Sequence, residues 1–314
     1  MRKVERIKPR ALREGETIGI VAPASSFKRE EFEAGCEGLR RIGYKVVYHE
    51  SIFSRDLYFA GNAQRRAREL EAMFERDDVK AIVCARGGYG ANYLLPTLDL
   101  RKLAANPKIF AGYSDITSLL TYITDQTGLI TFHGPMVTKD FARPDGVDLR
   151  SWQNALGAAE NWQLAFDSNS GVQPLAQGSA EGLLYGGCLS ILVASLGTPF
   201  EMQTEGTILF IEDVATKPYQ VDRMLMHLKL AGKLTGVRGI IFGEMMDCLQ
   251  HPSQPYSLQE VVMRVIGDLN MPVAYGLRSG HVSRQNITLP LGVSAVLNVG
   301  GSGVSLEIIE PATA

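Results

Sequence analysis

Cysteine is scarce in this chain: Cys36, Cys84, Cys188 and Cys248 are the four in 314 residues, widely scattered and without a CxxC pair. Such spacing supports neither a disulfide framework nor a zinc site. The five histidines add no HExxH or similar ligand spacing, so no metal or other cofactor is expected. An excess of one charge is missing too. With 32 Lys and Arg against 34 Asp and Glu, the formal net charge is -2, and no basic cluster stands out. Nothing electrostatic therefore points to nucleic acid or an anionic membrane as partner. No segment approaches the ~20 apolar residues of a spanning helix. The N-terminus is basic through Arg2, Lys3, Arg6, Lys8 and Arg10, but the apolar stretch after it runs only from Ile18 to Ala22. That is a strand's length and too short for a secretory segment. The mature chain is accordingly expected to begin at Met1, in the cytoplasm. Internal repeats and low-complexity tracts are also absent.

What is present is the composition of an ordinary globular protein, 45% apolar and 21% charged. A single core is near its upper size limit at this length, so two domains are expected. The first part alternates strand and helix: Ile18 to Ala22, a helix from Arg29 to Ile42 closed by Gly43, Lys45 to Tyr48, a helix from about Ala63 to Arg76, Ala81 to Cys84, a glycine loop, and a helix around Ala91 to Leu95. This order predicts an α/β fold with a mostly parallel sheet, whose ligands bind beyond the carboxyl ends of the strands. Polar residues with Pro144, Gly146, Asn161, Asn169 and Gly171 predict an interdomain connection. We therefore expect an N-terminal α/β domain over residues 1–142, a linker over 143–177 and a mixed C-terminal domain over 178–314. The latter ends in strands at Ile287 to Leu289, Ser294 to Leu297 and Val304 to Ile308, the last two facing each other across Gly300-Gly301-Ser302-Gly303.

Gly112-Tyr113-Ser114-Asp115 stands where the strand Ile109 to Gly112 meets an apolar-periodic helix. A small polar residue in such a sharp turn is lifted above the sheet, where it can act as a nucleophile. The hydrolase elbow Gly-x-Ser-x-Gly is half met, Ile116 holding the last position, and a serine before a helix is equally the ordinary N-cap. A serine nucleophile also needs a base. His281, in Arg278-Ser279-Gly280-His281-Val282-Ser283, follows a strand in a loop with no packing reason to carry an imidazole, and ranks first. His133 is a possible pocket residue; His49 and His227 read as structural, and His251 as a surface turn residue. Glu212 and Asp213 follow the strand Thr207 to Ile211, so that either could orient the base, or both could be solvated turn residues. Arg86-Gly87-Gly88-Tyr89-Gly90 lacks the Lys-Ser/Thr of a phosphate loop and the GxGxxG fingerprint. Its glycines suit close approach of backbone N–H groups, so Gly88 and Asp115 are the expected oxyanion donors, against the alternative of a plain tight turn. Arg86 and Arg284 are candidates to bind a substrate carboxylate, or surface ion-pair partners, with Tyr89 alongside as a substrate contact. Cys188 opens a helix, which lowers a thiol's pKa and makes it a rival nucleophile, although a buried inert cysteine fits as well.

In order along the chain, Val21-Ala22-Pro23-Ala24-Ser25, Arg86-Gly87-Gly88-Tyr89-Gly90, Gly112-Tyr113-Ser114-Asp115-Ile116-Thr117, His133-Gly134-Pro135, Ile211-Glu212-Asp213, Pro218-Tyr219, Asp222-Arg223-Met224-Leu225, and Gly280-His281 before Thr288-Leu289-Pro290-Leu291-Gly292 resemble the LD-carboxypeptidase family of serine peptidases. The resemblance implies a Ser-His-Glu triad at Ser114, His281 and Glu212, and an oxyanion hole at Gly88 and Asp115. It implies an N-terminal domain like that of class I glutamine amidotransferases, a C-terminal swivelling β/β/α domain, and a homodimer. Nucleophile and partners then come from different domains, so activity is expected to depend on how the domains meet. The implied reaction is removal of the terminal D-alanine from a murein tetrapeptide in cytoplasmic cell-wall recycling. Where the family usually reads Gly-Gly-Asn-Leu this chain has Gly186-Gly187-Cys188-Leu189, placing a weakly bonding thiol where a substrate-facing amide is usual. The alternatives are a microcin-immunity peptidase acting on a peptidyl-nucleotide and, more remotely, a non-catalytic two-domain binder of a small ligand.

Overall fold

A computed structural model describes residues 5–157, 160–166, 171–249, 254–301 and 303–314. His251, Asn169 and Ser302 lie outside these. The first stretch carries β1 (Thr17–Val21), α1 (Arg29–Arg41), β2 (Lys45–Val47), α2 (Ala63–Glu75), β3 (Val79–Cys84), α3 (Leu100–Ala105), β4 (Ile109–Gly112), α4 (Thr117–Thr127), β5 (Thr131–His133) and α5 (Leu149–Leu156). There follow β6 (Trp162–Phe166), β7 (Gln173–Ala176), β8 (Gly178–Cys188), α6 (Leu189–Ala194), β9 (Thr207–Glu212), α7 (Pro218–Leu230), β10 (Gly239–Gly243), α8 (Leu258–Ile266), β11 (Val273–Leu277), β12 (Leu289–Leu291), β13 (Ser294–Gly300) and β14 (Gly303–Ile308). The chain divides into two compact units, the first comprising residues 1–159, 284–292 and 311–314 and the second 160–283 and 293–310.

The first unit is built on a six-stranded sheet in the order β12-β5-β4-β3-β1-β2, among the described residues. All neighbours are parallel except β12, which runs antiparallel to β5. Ile18, Ile82, Val83, Ile109 and Phe110 are fully buried. Such continuous apolar strands mark a sheet covered on both faces, each large side chain contributing roughly 1.5–3 kcal/mol by leaving water. The parallel α/β reading therefore holds. Two local expectations change. The helix around Ala91 to Leu95 is only a short turn over Ala91–Tyr93, and the helix proper is α3, beyond Pro96, capped by Asp99 accepting from the Arg101 N–H. The strand expected near Leu289 in the second domain is β12, at the edge of the first unit's sheet, where Pro290 costs no ladder bond.

Residues 143–177, expected as a linker, carry α5, β6 and β7. Helix α5 buries Trp152, Ala155 and Leu156 on one face, and its Asp148 cap accepts from the Ser151 N–H. Flanking Pro, Gly and Asn residues conceal this face in the sequence.

The second unit holds an eight-stranded sheet in the order β6-β14-β13-β8-β9-β10-β11-β7, among the described residues. Its centre, β8 to β11, is parallel; the flanking pairs are antiparallel. Leu209, Ile211, Ile240, Phe242, Val221, Leu225, Val262 and Ile266 form the core between sheet and helices α7 and α8. In both units the parallel strands deliver their last residues to one edge, and the candidate residues sit at those edges.

Candidate active site

In the first unit, Ser114 follows β4 and starts a short 3₁₀ turn leading into α4. Its φ is 63°, in the left-handed region that a residue with a Cβ rarely adopts. Strain of this kind needs support from its surroundings. The cap position of α4 belongs to Ile116, with no side-chain cap bond, so Ser114 is not the helix cap. Directly facing it is Gly87, where an added Cβ would stand 2.8 Å from the Ser114 Cβ and 3.0 Å from its Oγ. Close approach of the glycine loop to the serine thus requires a residue without a side chain.

Several polar contacts hold that loop. The Ser25 N–H donates to the Gly87 carbonyl (3.2 Å), and the Ser25 Oγ accepts from the Tyr89 N–H (3.0 Å). Asp115 is 2% exposed, and its carboxylate accepts from the Ala91 N–H (2.7 Å). Burial pushes its carboxyl up to about 6, against the opposing effects of that hydrogen bond and of Arg66. Arg66, 1% exposed, donates to the carbonyls of Gly61 (2.9 Å), Gly90 (2.7 Å) and Pro23. Burial and neighbouring Arg65 lower its pKa. Arg66 was not anticipated, yet it lies four residues before Leu70 on the apolar face of α2, and a charge on such a face was the available signal. Gly88 and Tyr89 are exposed, Arg86 is half-buried and donates to the Ser26 carbonyl (3.2 Å), and Arg284 is exposed. His133 is buried within β5, its strand paired with β4 and β12.

In the second unit, Glu212 is the last residue of β9 and fully buried. Its Oε2 accepts from the backbone N–H of His281 (3.0 Å) and lies 2.7 Å from His281 Nδ1. An ionised carboxylate only accepts, so with Glu212 ionised the proton between the two atoms sits on Nδ1. The slot for Glu212 is lined by glycine. An added Cβ at Gly243 would stand 2.6 Å from the Glu212 Cβ, and one at Gly280 2.6 Å from its Cδ; Gly280 also has φ 91°. Of the two carboxylates left open by the sequence, Asp213 is otherwise engaged, accepting from the Ser190 N–H (2.8 Å), the Val214 N–H (2.8 Å) and the Thr216 hydroxyl (3.0 Å). Burial raises its pKa.

Cys188 stands opposite Glu212 in the β8–β9 register, 3% exposed, its Sγ 3.3 Å from the Ser190 Oγ. Burial, together with the charges of Glu212 and Asp213, pushes the thiol pKa well up rather than down. The lowering expected of a helix N-terminus is outweighed, because α6 is only six residues long and the sulfur is desolvated. His49 and His227 are exposed. Among the described residues no three His, Cys, Asp or Glu side chains group so as to hold a metal ion, and no helix is long and apolar enough to cross a membrane.

Comparison with known proteins accounts for both halves. Residues 18–134 match the LD-carboxypeptidase N-terminal domain and residues 181–297 the LD-carboxypeptidase C-terminal domain. The chain is 38% identical to a probable murein peptide carboxypeptidase of Bacillus subtilis, over 96% of this chain and 94% of that one. It is 32% identical to the microcin C7 self-immunity protein of Escherichia coli, over 93% of each. The crystal structure of muramoyltetrapeptide carboxypeptidase from Oxalobacter formigenes superposes with a TM-score of 0.83 at 29% identity, covering 94% of this chain and 99% of that one. A two-domain α/β chain with these matches along its length belongs to the LD-carboxypeptidase family of serine-type hydrolases.

Proposed function

We propose that the protein removes the terminal D-alanine from a murein tetrapeptide, as a cytoplasmic homodimer serving cell-wall recycling. The observation that carries this reading is the grip of Glu212 on His281, which favours the Nδ1–H tautomer and so assigns the role of base to Nε2. In the proposed cycle, Nε2 takes the Ser114 hydroxyl proton while Oγ bonds to the scissile carbonyl carbon. The resulting oxyanion accepts hydrogen bonds from the Gly88 and Asp115 N–H groups. The carbon–nitrogen bond then breaks, and the proton passes from His281 to the departing amine of D-alanine. A water, deprotonated by the same imidazole, hydrolyses the acyl-serine. Arg86, Arg284 and Tyr89 are the proposed substrate contacts, with Cys188 beside the acid.

Support for the substrate comes from the murein peptide named for the Bacillus subtilis relative and from the Oxalobacter formigenes structure. Purified protein should release D-alanine from murein tetrapeptide, and Ser114→Ala should abolish release while retaining fold and peptide binding. Unchanged turnover in that variant would remove Ser114 from the reaction. The 32% identity to the microcin C7 self-immunity protein supports a second reading, hydrolysis of a peptidyl-nucleotide. Comparing the turnover of a processed microcin with that of the tetrapeptide separates the two. Binding of either without turnover would favour a non-catalytic role.

A further inference from the structure

Two adjacent parallel strands of the second unit are closed by a glutamate, one as its last residue and one just beyond it, and both glutamates hold the same loop. Strand β9 ends at Glu212, and β10, paired with it through Phe242 opposite Ile211, ends at Gly243 with Glu244 next in the chain. Glu212 holds His281 by its backbone and ring. Glu244 holds Ser283 two residues later: its Oε2 accepts from the Ser283 N–H (2.8 Å) and its Oε1 from the Ser283 hydroxyl (2.9 Å). We propose that Glu244 is a positioning residue for the general base, clamping Ser283 so that His281 keeps its ring against Glu212. This rests on the reading of His281 as that base.

The loop needs a second hold for identifiable reasons. Gly280 has φ 91°, a Cβ there would stand 2.6 Å from the Glu212 Cδ, and glycine resists rotation less than any other residue. Ser283 is moreover the last residue of the second unit before the chain continues into the first. Both bonds to Glu244 are charge-assisted, made by a half-buried carboxylate to an exposed serine. A base displaced by a fraction of an ångström loses rate rather than substrate affinity, because proton transfer depends on alignment.

The test compares Glu244→Ala, Glu244→Gln and Ser283→Ala in the full chain, using D-alanine release from murein tetrapeptide and the Nδ1–H proton resonance of ¹⁵N-histidine-labelled protein. Glu244→Ala should lower kcat about 10- to 100-fold with KM within about threefold of wild type, and should broaden or abolish the His281 resonance. Glu244→Gln, whose amide oxygen can still accept from the Ser283 N–H, should restore the resonance and most of kcat. Ser283→Ala, losing only the hydroxyl bond, should lower kcat about threefold. A folded Glu244→Ala with wild-type kcat and resonance would overturn the proposal. Should that variant not fold, a Ser283→Ala protein with unchanged kcat and resonance would overturn it equally. If wild type releases no D-alanine while the resonance responds as expected, the clamp stands and the substrate reading falls.

Discussion

A single carboxylate oxygen, Glu212 Oε2, receives two N–H groups of His281: the backbone amide at 3.0 Å and the ring Nδ1 at 2.7 Å. One atom thereby sets both where the residue sits and which way its ring faces. The space for this contact exists because positions 243 and 280 carry no side chain. Glu212 and His281 are thus a preformed pair, built at the edge of one sheet.

Removing the charge should therefore harm chemistry more than folding. In Glu212→Gln the amide cannot accept at both N–H groups as a carboxylate does, and its NH₂ favours the wrong imidazole tautomer. We expect kcat for D-alanine release to fall about 10³- to 10⁴-fold with the fold retained, the loss seen when a triad acid becomes an amide. A Glu212→Gln enzyme within about tenfold of wild type would exclude Glu212 from orienting the base.

The backbone of Ser114 makes a different demand. At φ 63° the serine is held in a conformation costing on the order of 1–3 kcal/mol for a residue with a Cβ. Ser114→Ala and Ser114→Gly should both be inactive, but the glycine variant should unfold at the higher temperature, since it alone relieves the strain. Equal melting temperatures for the two would mean that the turn is not strained.

Gly280→Ala places a Cβ 2.6 Å from the Glu212 Cδ at a φ of 91°. Either Glu212 or the loop must move. Activity should drop about 100-fold or more, the effect of a small misplacement of a catalytic group. Retained kcat in this variant would show that the His281 loop tolerates displacement.

The fold was legible where the physics is local. Strands β1, β3 and β4 announce themselves as short, continuously apolar runs, as a parallel sheet covered on both faces requires. His281 stood out in the sequence as an imidazole in a loop after a strand, and Glu212 only as one of two carboxylates at a strand end. What stayed hidden depends on contacts distant in sequence. Glu244 sits in Gly243-Glu244-Met245-Met246 with no local signature, and its partner Ser283 is 39 residues away. Strand β12 was placed in the wrong unit because strand pairing over more than 150 residues leaves no periodic trace; only Pro290 hinted at an edge.

Cys188 offers a chemical test of the nucleophile. Its thiol is buried and its pKa is pushed well up, so native protein should alkylate slowly with iodoacetamide at neutral pH and denatured protein readily. Cys188→Ser should keep turnover within a few-fold of wild type. If modification or substitution of Cys188 abolished turnover while Ser114→Ala retained it, the chemistry would belong to the thiol.

Asp115 gives stability a pH dependence of predictable sign. Its carboxyl is pushed up to about 6 in the folded chain by burial, from an ordinary value of 3.8. Between these two values the native state binds the proton that the unfolded state has released, so stability falls as pH rises through that window. The penalty is absent below 3.8 and complete above about 6. Asp115→Asn, which keeps an acceptor for the Ala91 N–H but has no proton to lose, should escape it. Relative to wild type, this variant should therefore gain stability between pH 4 and pH 7, by up to roughly 3 kcal/mol, a ceiling set by the size of the shift. The attraction to Arg66 acts only on the ionised carboxylate and is already contained in the shift to about 6, so the difference between the two pH values is the quantity to read. Urea unfolding of both proteins at pH 4 and pH 7 measures it. A variant whose relative stability stays constant, or falls, over that range would show that burial of Asp115 does not raise its pKa.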